Sequence, residues 1–373
     1  MKFRKRVLSL AFAACLLLAG CGKDSEAPTN PSDASNVPSP SGDASVSTDP
    51  SGSPATNPVT TTPLTQGYPS PLTGELLAVK MDSRPIAVTL NNIVDAMPQY
   101  GVGSADILYE VLAEGGITRC LGIYHDVSTV DTLGSIRSAR PCLLDIAMAY
   151  DAVYVHAGGS SDAYNELSST DWDHIDGVRG SNASSYYYRD QDRLSQGYAL
   201  EHTLFIHGKD VVTYALERGC EMTRTQVEDY GLHFAQDGTP SGGTQAQKVT
   251  VEFANSSKTT DFVYNSSTGL YAASQYGGAY IDAATNQQLQ FRNIIMITAS
   301  TSYDSDGYRV YVELTDSGDG YYACGGKMIP IHWSRSGDTA PFVYTLADGS
   351  PLTLGVGKTY IAVTPYGSEM QCS

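Results

Sequence analysis

The chain has 373 residues, with 23 lysines and arginines against 40 aspartates and glutamates, a net charge of −17. So acidic a protein is a poor partner for nucleic acid or for broad contact with anionic lipid headgroups. Its seven cysteines contain no CxxC spacing, which disfavours a thiolate metal site.

The first element is a targeting segment. Lys2, Arg4, Lys5 and Arg6 open it, Val7 to Leu18 is an apolar run too short to span a bilayer stably, and "LAGC" follows at Leu18 to Cys21. That order resembles a bacterial lipobox, in which the cysteine thiol takes a diacylglycerol and the chain is cut just before it. Residues 1–20 are therefore expected to be a lipoprotein signal peptide and Cys21 the lipidation site. The protein is then lipid-anchored to the cell membrane on its extracytoplasmic face. Removal of residues 1–20 takes away four basic residues and no acidic ones, leaving a net charge of −21. Beyond Cys21 remain Cys120, Cys142, Cys220, Cys324 and Cys372, an odd set that allows at most two disulfides. Cys142, among Leu143, Leu144 and Ile146, reads as a buried free thiol. Residues 21–70 are rich in Ser, Thr and Pro, with almost no large apolar side chain, and are expected to form a disordered tether with a reach of about 40 Å.

From residue 71 the pattern changes. "RPIAVTLNN" from Arg84 reads as a strand. "ADILYEVLAE" alternates, with Ile107, Tyr109, Val111 and Ala113 on one face and Asp106, Glu110 and Glu114 on the other. "CLGIYHD" is a strand, "PCLLDIAMAY" a helix, "AVYVHAGG" a strand running into a glycine turn and "SSDAYNEL" a helix start. "HTLFIHG" and "KDVVTYALERG" repeat the alternation, so residues 71–220 are expected to form an α/β domain. In residues 245–373 short strand signals crowd together, from "KVTVEFA" through "IIMITAS" and "GKMIPIHWS" to "KTYIAVTP", with "DSDG" and "DSGDG" as turns. This half is expected to be a β-rich, α+β domain.

Seven segments carry a family resemblance: "PLTGE", "RPIAVTLNN", "SADILYEVLAEGGITR", "IRSARPCLLDIAMAYDAVYVHAGGS", "YYRD", "GKMIPIHWSRSGDTAPFVYTLADG" and "GKTYIAVTP". They are similar to the YerB-like lipoproteins of Gram-positive bacteria, and the resemblance runs from about residue 70 to the end. It implies a two-domain cell-envelope lipoprotein of a family without an assigned function. One departure is "LEHTLFIH", where the family tends to have Pro-His-Asn; His202 is kept between Glu201 and Thr203.

Arg137 and Arg140 stand just before Pro141, which suits the first turn of a helix because its missing N–H would have no partner there. The positive end of a helix is unfavourable for a cation unless an anion lies near. That anion can be internal, supplied by Glu110 or Glu114 to Arg119, Arg137 or Arg140, or external, a bound phosphate or carboxylate. Between Arg84 and Arg218 the chain has eight arginines and one lysine, Lys209, a preference for planar forks that match oxyanions. "HAGGSS" has the layout of an anion site at a helix start, a strand end followed by Gly158 and Gly159 with Ser160 or Ser161 as cap. The expected ligand-binding set is therefore Glu110, Glu114, Arg119, Arg137, Arg140, His156, Gly158, Gly159, Ser160, Arg189, Arg193 and His202. "DWDHID", with Asp171, Asp173, His174 and Asp176, reads as a solvated loop in preference to a metal site. No G-x-S-x-G, H-E-x-x-H or P-loop appears, and no cofactor is expected.

Two functions follow from this set. The first is a binding protein for a phosphate-bearing envelope component or a cell-wall-synthesis partner. The second is an enzyme acting on a lipid-linked phosphorylated glycan precursor.

Overall fold

The structure is a computed structural model that describes residues 66–224, 229–253, 258–305 and 307–373. The signal peptide, Cys21 and the tether up to residue 65 lie outside the described residues, as does Asp306. Pairing begins at Tyr68 and Pro69, which lie antiparallel to Leu76 and Leu77, so the fold starts slightly ahead of the expected boundary.

Strands from both halves of the sequence build one sheet. From the first half come β1 (Ile86–Asn92), β2 (Ile107–Leu112), β3 (Thr118–Tyr124), β4 (Val153–His156) and β5 (His174–Asp176). From the second half come β9 (Asn293–Ala299), β12 (Ser317–Cys324), β13 (Lys327–Ser334) and β14 (Thr359–Pro365). Their order is β13, β12, β9, β14, β2, β3, β1, β4, β5. The seam is the parallel pair β14 and β2, with Ile361 opposite Tyr109 and Ala362 opposite Glu110.

Helix α1 (Pro141–Ala149) and helix α2 (Ser161–Thr170) cover one face of this sheet, burying Leu143, Leu144, Ile146, Ala163 and Leu167 against Tyr109, Ile123 and Tyr154. The other face is covered in the second half by β6 (Lys248–Phe253), β7 (Lys258–Asn265) and β8 (Leu270–Gln275), an antiparallel layer that supplies Val249, Val251, Phe262 and Tyr271. In the first half that face carries helix α4 (Gly208–Glu217), with Val211 and Tyr214 inward; the short α3 (Gln191–Ser195) lies just before it. The hairpin β10 (Thr301–Tyr303) and β11 (Val310–Val312) stands beside α1. The last strand, β15 (Met370–Cys372), closes the edge of β6.

Two expectations fail for physical reasons. All six residues of β2 are buried, and the expected pairing of Glu110 with an arginine fails. A central strand covered on both sides has two buried faces, and Glu110 lies on the side of Leu108 and Leu112, under β7. "DSGDG" is not a turn, since Ser317 to Gly320 belong to β12. A Cβ on Gly320 would stand 2.3 Å from the Met296 carbonyl oxygen, and one on Gly318 2.7 Å from Trp333 Nε1. Glycine is used there for close approach within a strand. The five described cysteines are all free, four of them buried.

Candidate functional site

The arginines of the opening motif meet where β1 and β2 end and α1 begins. Arg140 is the N-cap of α1, held extended at φ −134° and ψ 151° by the following Pro141 at the first helical position. Its Nε donates to Glu114, which sits in the turn after β2. Arg119, on β3, approaches the other oxygen of Glu114, with Nη1 3.4 Å from Oε2. Arg137 reaches Glu201 Oε1 at 3.4 Å, a carboxylate that is 57 % exposed. Two guanidinium groups thus share one buried carboxylate, and the third beside them has only an exposed one.

The hydrogen bonds do not balance either. Nε of Arg119 and Nε of Arg137 are buried without an acceptor among the described residues, and Nη1 of Arg119, though ion-paired with Glu114, makes no well-formed hydrogen bond. Arg119 is 4 % exposed, and burial, followed by the charge of Arg140, pulls its pKa down to about 10. Burial also lowers the pKa of Arg137, with Arg140 adding to the effect and Glu201 opposing it. Burial alone would push the Glu114 carboxyl up, but the Arg140 hydrogen bond and the two guanidinium charges hold it below the usual range. Arginine donors buried without acceptors carry a desolvation cost that an oxyanion would relieve. The side chains of Arg137 and Arg140 are 18 and 19 % exposed, so the cluster opens to solvent.

His202 belongs to this cluster. Its Nδ1 accepts from Asn91 Nδ2 at 2.8 Å, leaving Nε2 as the donor of the neutral ring on the side of Glu201. Burial first, and Arg137 second, lower its pKa. Tyr308, at the tip of the β10–β11 hairpin, lies close enough to Arg137 for their charges to interact.

Other members of the expected set lie elsewhere. Glu110 pairs with no arginine. It is fully buried on the opposite face of the sheet, 2.8 Å from Lys258 Nζ, and it accepts from Asn92, Thr118, Thr260 and Tyr360. Arg193 donates to the carbonyls of Ala96, Pro98 and His202, and Arg189 to that of Leu200, so both brace backbone instead of joining the cluster.

The glycine loop acts on the cluster from behind. Ala139 N–H donates to Gly158 O at 2.9 Å, Ala157 N–H to Arg137 O at 2.9 Å and Ser160 N–H to Ala139 O at 3.2 Å. Residues 137–139 are thereby laced to the loop as a short ladder, and Gly158, at φ +73°, takes the left-handed conformation the turn needs. Gly158 N–H is held by Asp176 Oδ1 at 2.8 Å, and Ser160 Oγ caps α2 by accepting from Ala163 N–H. Gly159 pairs with Ala139 in the same ladder. His156 is fully buried; burial, partly opposed by Asp176, lowers its pKa to about 4, so the ring is neutral. A neutral ring with Nδ1 2.8 Å from Gly158 O donates there and accepts at Nε2 from His174 Nδ1, 3.0 Å away. Of the "DWDHID" carboxylates, Asp173 pairs with Arg84 and Asp176 serves backbone amides and Tyr164. Among the described residues no group of three or more His, Cys, Asp and Glu could hold a metal ion.

Asn91, Glu201 and Tyr308 were not singled out by sequence. Asn91 is separated from His202 by 111 positions, and only the strand alternation that places it on the Arg119 side could have pointed to it. A cleft of 600 Å³ lies elsewhere, lined by Glu75, Asp282, Arg292 and Lys358 among others. Its charges are internally occupied: Lys358 donates to Gly103 O, Arg292 pairs with Asp237, and Asp282 holds the amides of Gly101 and Gly103. Size alone therefore does not make it the chemical site.

The architecture is that of an α+β protein with an arginine cluster where parallel strands end and a helix begins. Residues 72–221 match the model described as "Protein of unknown function (DUF3048) N-terminal domain" and residues 249–361 the corresponding C-terminal domain, and the chain belongs to this family. It is 28 % identical over 299 residues to "Putative lipoprotein YerB" of Bacillus subtilis (strain 168), a match covering 79 % of this chain and 86 % of that protein. The crystal structure of the YerB protein from Bacillus subtilis is similar at TM-score 0.69 and 26 % identity, covering 82 % of this chain and 99 % of that one. The resemblance read from the sequence motifs is borne out. No helix among the described residues is long and apolar enough to cross a membrane.

Proposed function

We propose that the chain is a membrane-anchored binding lipoprotein whose Arg119, Arg137 and Arg140 hold a phosphate-bearing component of the cell envelope. The observation that carries this reading is the shortage of acceptors: Arg119 and Arg140 share Glu114, Arg137 has only the exposed Glu201, and the buried Arg119 has an Nε that lacks an acceptor among the described residues. An internal network that served stability alone would match its charges, as Glu110 and Lys258 do. The position supports it too, since ligands of open sheets gather outside the carboxyl ends of parallel strands, near helix N-termini. That is an argument from fold-level analogy and counts for less than the arginines. A binding role is preferred over the enzyme because, among the described residues, no side chain at the cluster is paired as nucleophile and base.

The anchor is Cys21, and the tether lets the arginine site act close to the extracytoplasmic face. Cys21→Ala should abolish incorporation of labelled fatty acid into the chain; a variant that still carried the lipid would refute the anchor.

The binding claim is tested by calorimetric titration of the full chain in detergent with inorganic pyrophosphate. The parent should bind, and Arg137→Gln with Arg140→Gln should weaken binding at least tenfold. Arg119 remains to neutralise Glu114, so the ligand-free double variant should melt within a few degrees of the parent. No binding by the parent, or equal binding by both, would overturn the proposal.

A further inference from the structure

A cavity of 240 Å³ lies between the start of α1 and the β10–β11 hairpin, its lining beginning one residue after Arg140 of the cluster. Pro141 and Cys142 line it, directly after Arg140, and the Cys142 thiol is close enough to Arg140, Glu114 and Arg119 for their charges to act on it. The rest of the lining differs in chemistry from the arginine site. Asp145 and Glu313 supply carboxylates, Ser300 and Ser302 hydroxyls, and Tyr311 a phenol.

The lining holds two carboxylates, one of them, Asp145, ion-paired with Arg335 at 3.4 Å, and no lysine or arginine, so it offers a second phosphate no cation of its own. Carboxylates only accept hydrogen bonds, whereas serine and tyrosine hydroxyls both donate and accept. A ring bearing several hydroxyls answers that mixture, each hydroxyl donating to a carboxylate or accepting from a serine. The volume equals that of about eight waters, the scale of one sugar ring and too small for a length of polymer. Tyr311 is fixed from behind, its hydroxyl donating to Asp162 Oδ2 on α2 at 3.0 Å, so its ring forms a set wall.

Resting on the anion-binding reading above, we infer that the ligand is a sugar phosphate: the arginines hold the phosphate and the cavity beneath the hairpin takes the hydroxylated ring. Arg119 is the sign of an external ligand on which both readings rest, because its Nε is buried without an acceptor among the described residues at the arginine cluster.

The test compares ethyl phosphate with glucose 1-phosphate, galactose 1-phosphate and N-acetylglucosamine 1-phosphate, titrated into the full chain and into Ser302→Ala and Glu313→Gln. At least one sugar phosphate should bind the parent tenfold or more tightly than ethyl phosphate. Both variants should lose that preference while keeping the parent's affinity for ethyl phosphate. If all four compounds bind the parent equally, and Arg137→Gln with Arg140→Gln abolishes them all, the sugar site is wrong and the anion site stands. A sugar preference that survives in both variants would also overturn the cavity assignment. If no phosphate binds the parent, both readings fall together.

Discussion

His156 illustrates how a residue that looks functional in sequence can serve the site indirectly. Buried between Tyr154 and His174, it is neutral and ties the Gly158 carbonyl that in turn holds Ala139. Its pKa falls from 6.5 to about 4, mainly through burial. The unfolded chain takes up this proton below pH 6.5 while the folded chain refuses it until about pH 4. The stability linked to His156 is thus intact above pH 6.5 and lost as pH falls toward 4, a loss of about 3 kcal/mol. Asp145 and Glu166, raised to about 6 and about 7 chiefly by burial, act in the opposite sense, since the folded chain then holds protons that the unfolded chain has released. Melting curves would blend these effects, so the clean measurement is the imidazole nitrogen shift of His156 by NMR. It should stay neutral down to about pH 4; titration near 6.5 would contradict the buried geometry.

At the scale of elements, β12 offers the sharpest prediction. Gly320→Ala places a methyl group against the Met296 carbonyl and should cost about 1 to 3 kcal/mol. Gly337→Ala, which meets open space, should leave the melting temperature nearly unchanged, and equal effects at the two sites would contradict the packing described. Sequence misplaced "DSGDG" because glycine and aspartate signal a turn locally, while the need for close approach arises from Thr298 and Trp333, distant in the chain. Elements whose cause is local were legible. Pro141 starts α1, Ser160 caps α2, and the apolar runs of β1, β9 and β14 are strands. The candidate cluster was legible as far as Arg119, Arg137, Arg140, Glu114 and His202, which the fold brings together from four segments. Glu110 misled because period-two alternation distinguishes the two faces of a strand without telling what covers each of them.

The whole molecule is joined through a buried ion pair that spans the two halves of the sequence. Glu110 on β2 meets Lys258 on β7 and Tyr360 on β14, and all three are buried. Glu110→Gln strands the Lys258 ammonium and should cost about 3 to 5 kcal/mol, with part recovered by Lys258→Met. Because the sheet is continuous across β14 and β2, the loss should appear as one earlier cooperative transition, not as the melting of one half. A biphasic melt, or an unchanged midpoint, would contradict this linkage. Glu114 plays the opposite part. It is the carboxylate that occupies the arginine cluster from within the chain and competes with any anion from outside, so the central claim turns on its removal. The deciding measurement is the calorimetric affinity of Glu114→Gln for inorganic pyrophosphate beside that of the parent chain. Binding at least tenfold tighter, with pyrophosphate raising the variant's melting temperature more than the parent's, is the predicted result. An unchanged or weaker affinity in the folded variant would contradict the arginine cluster as an anion site.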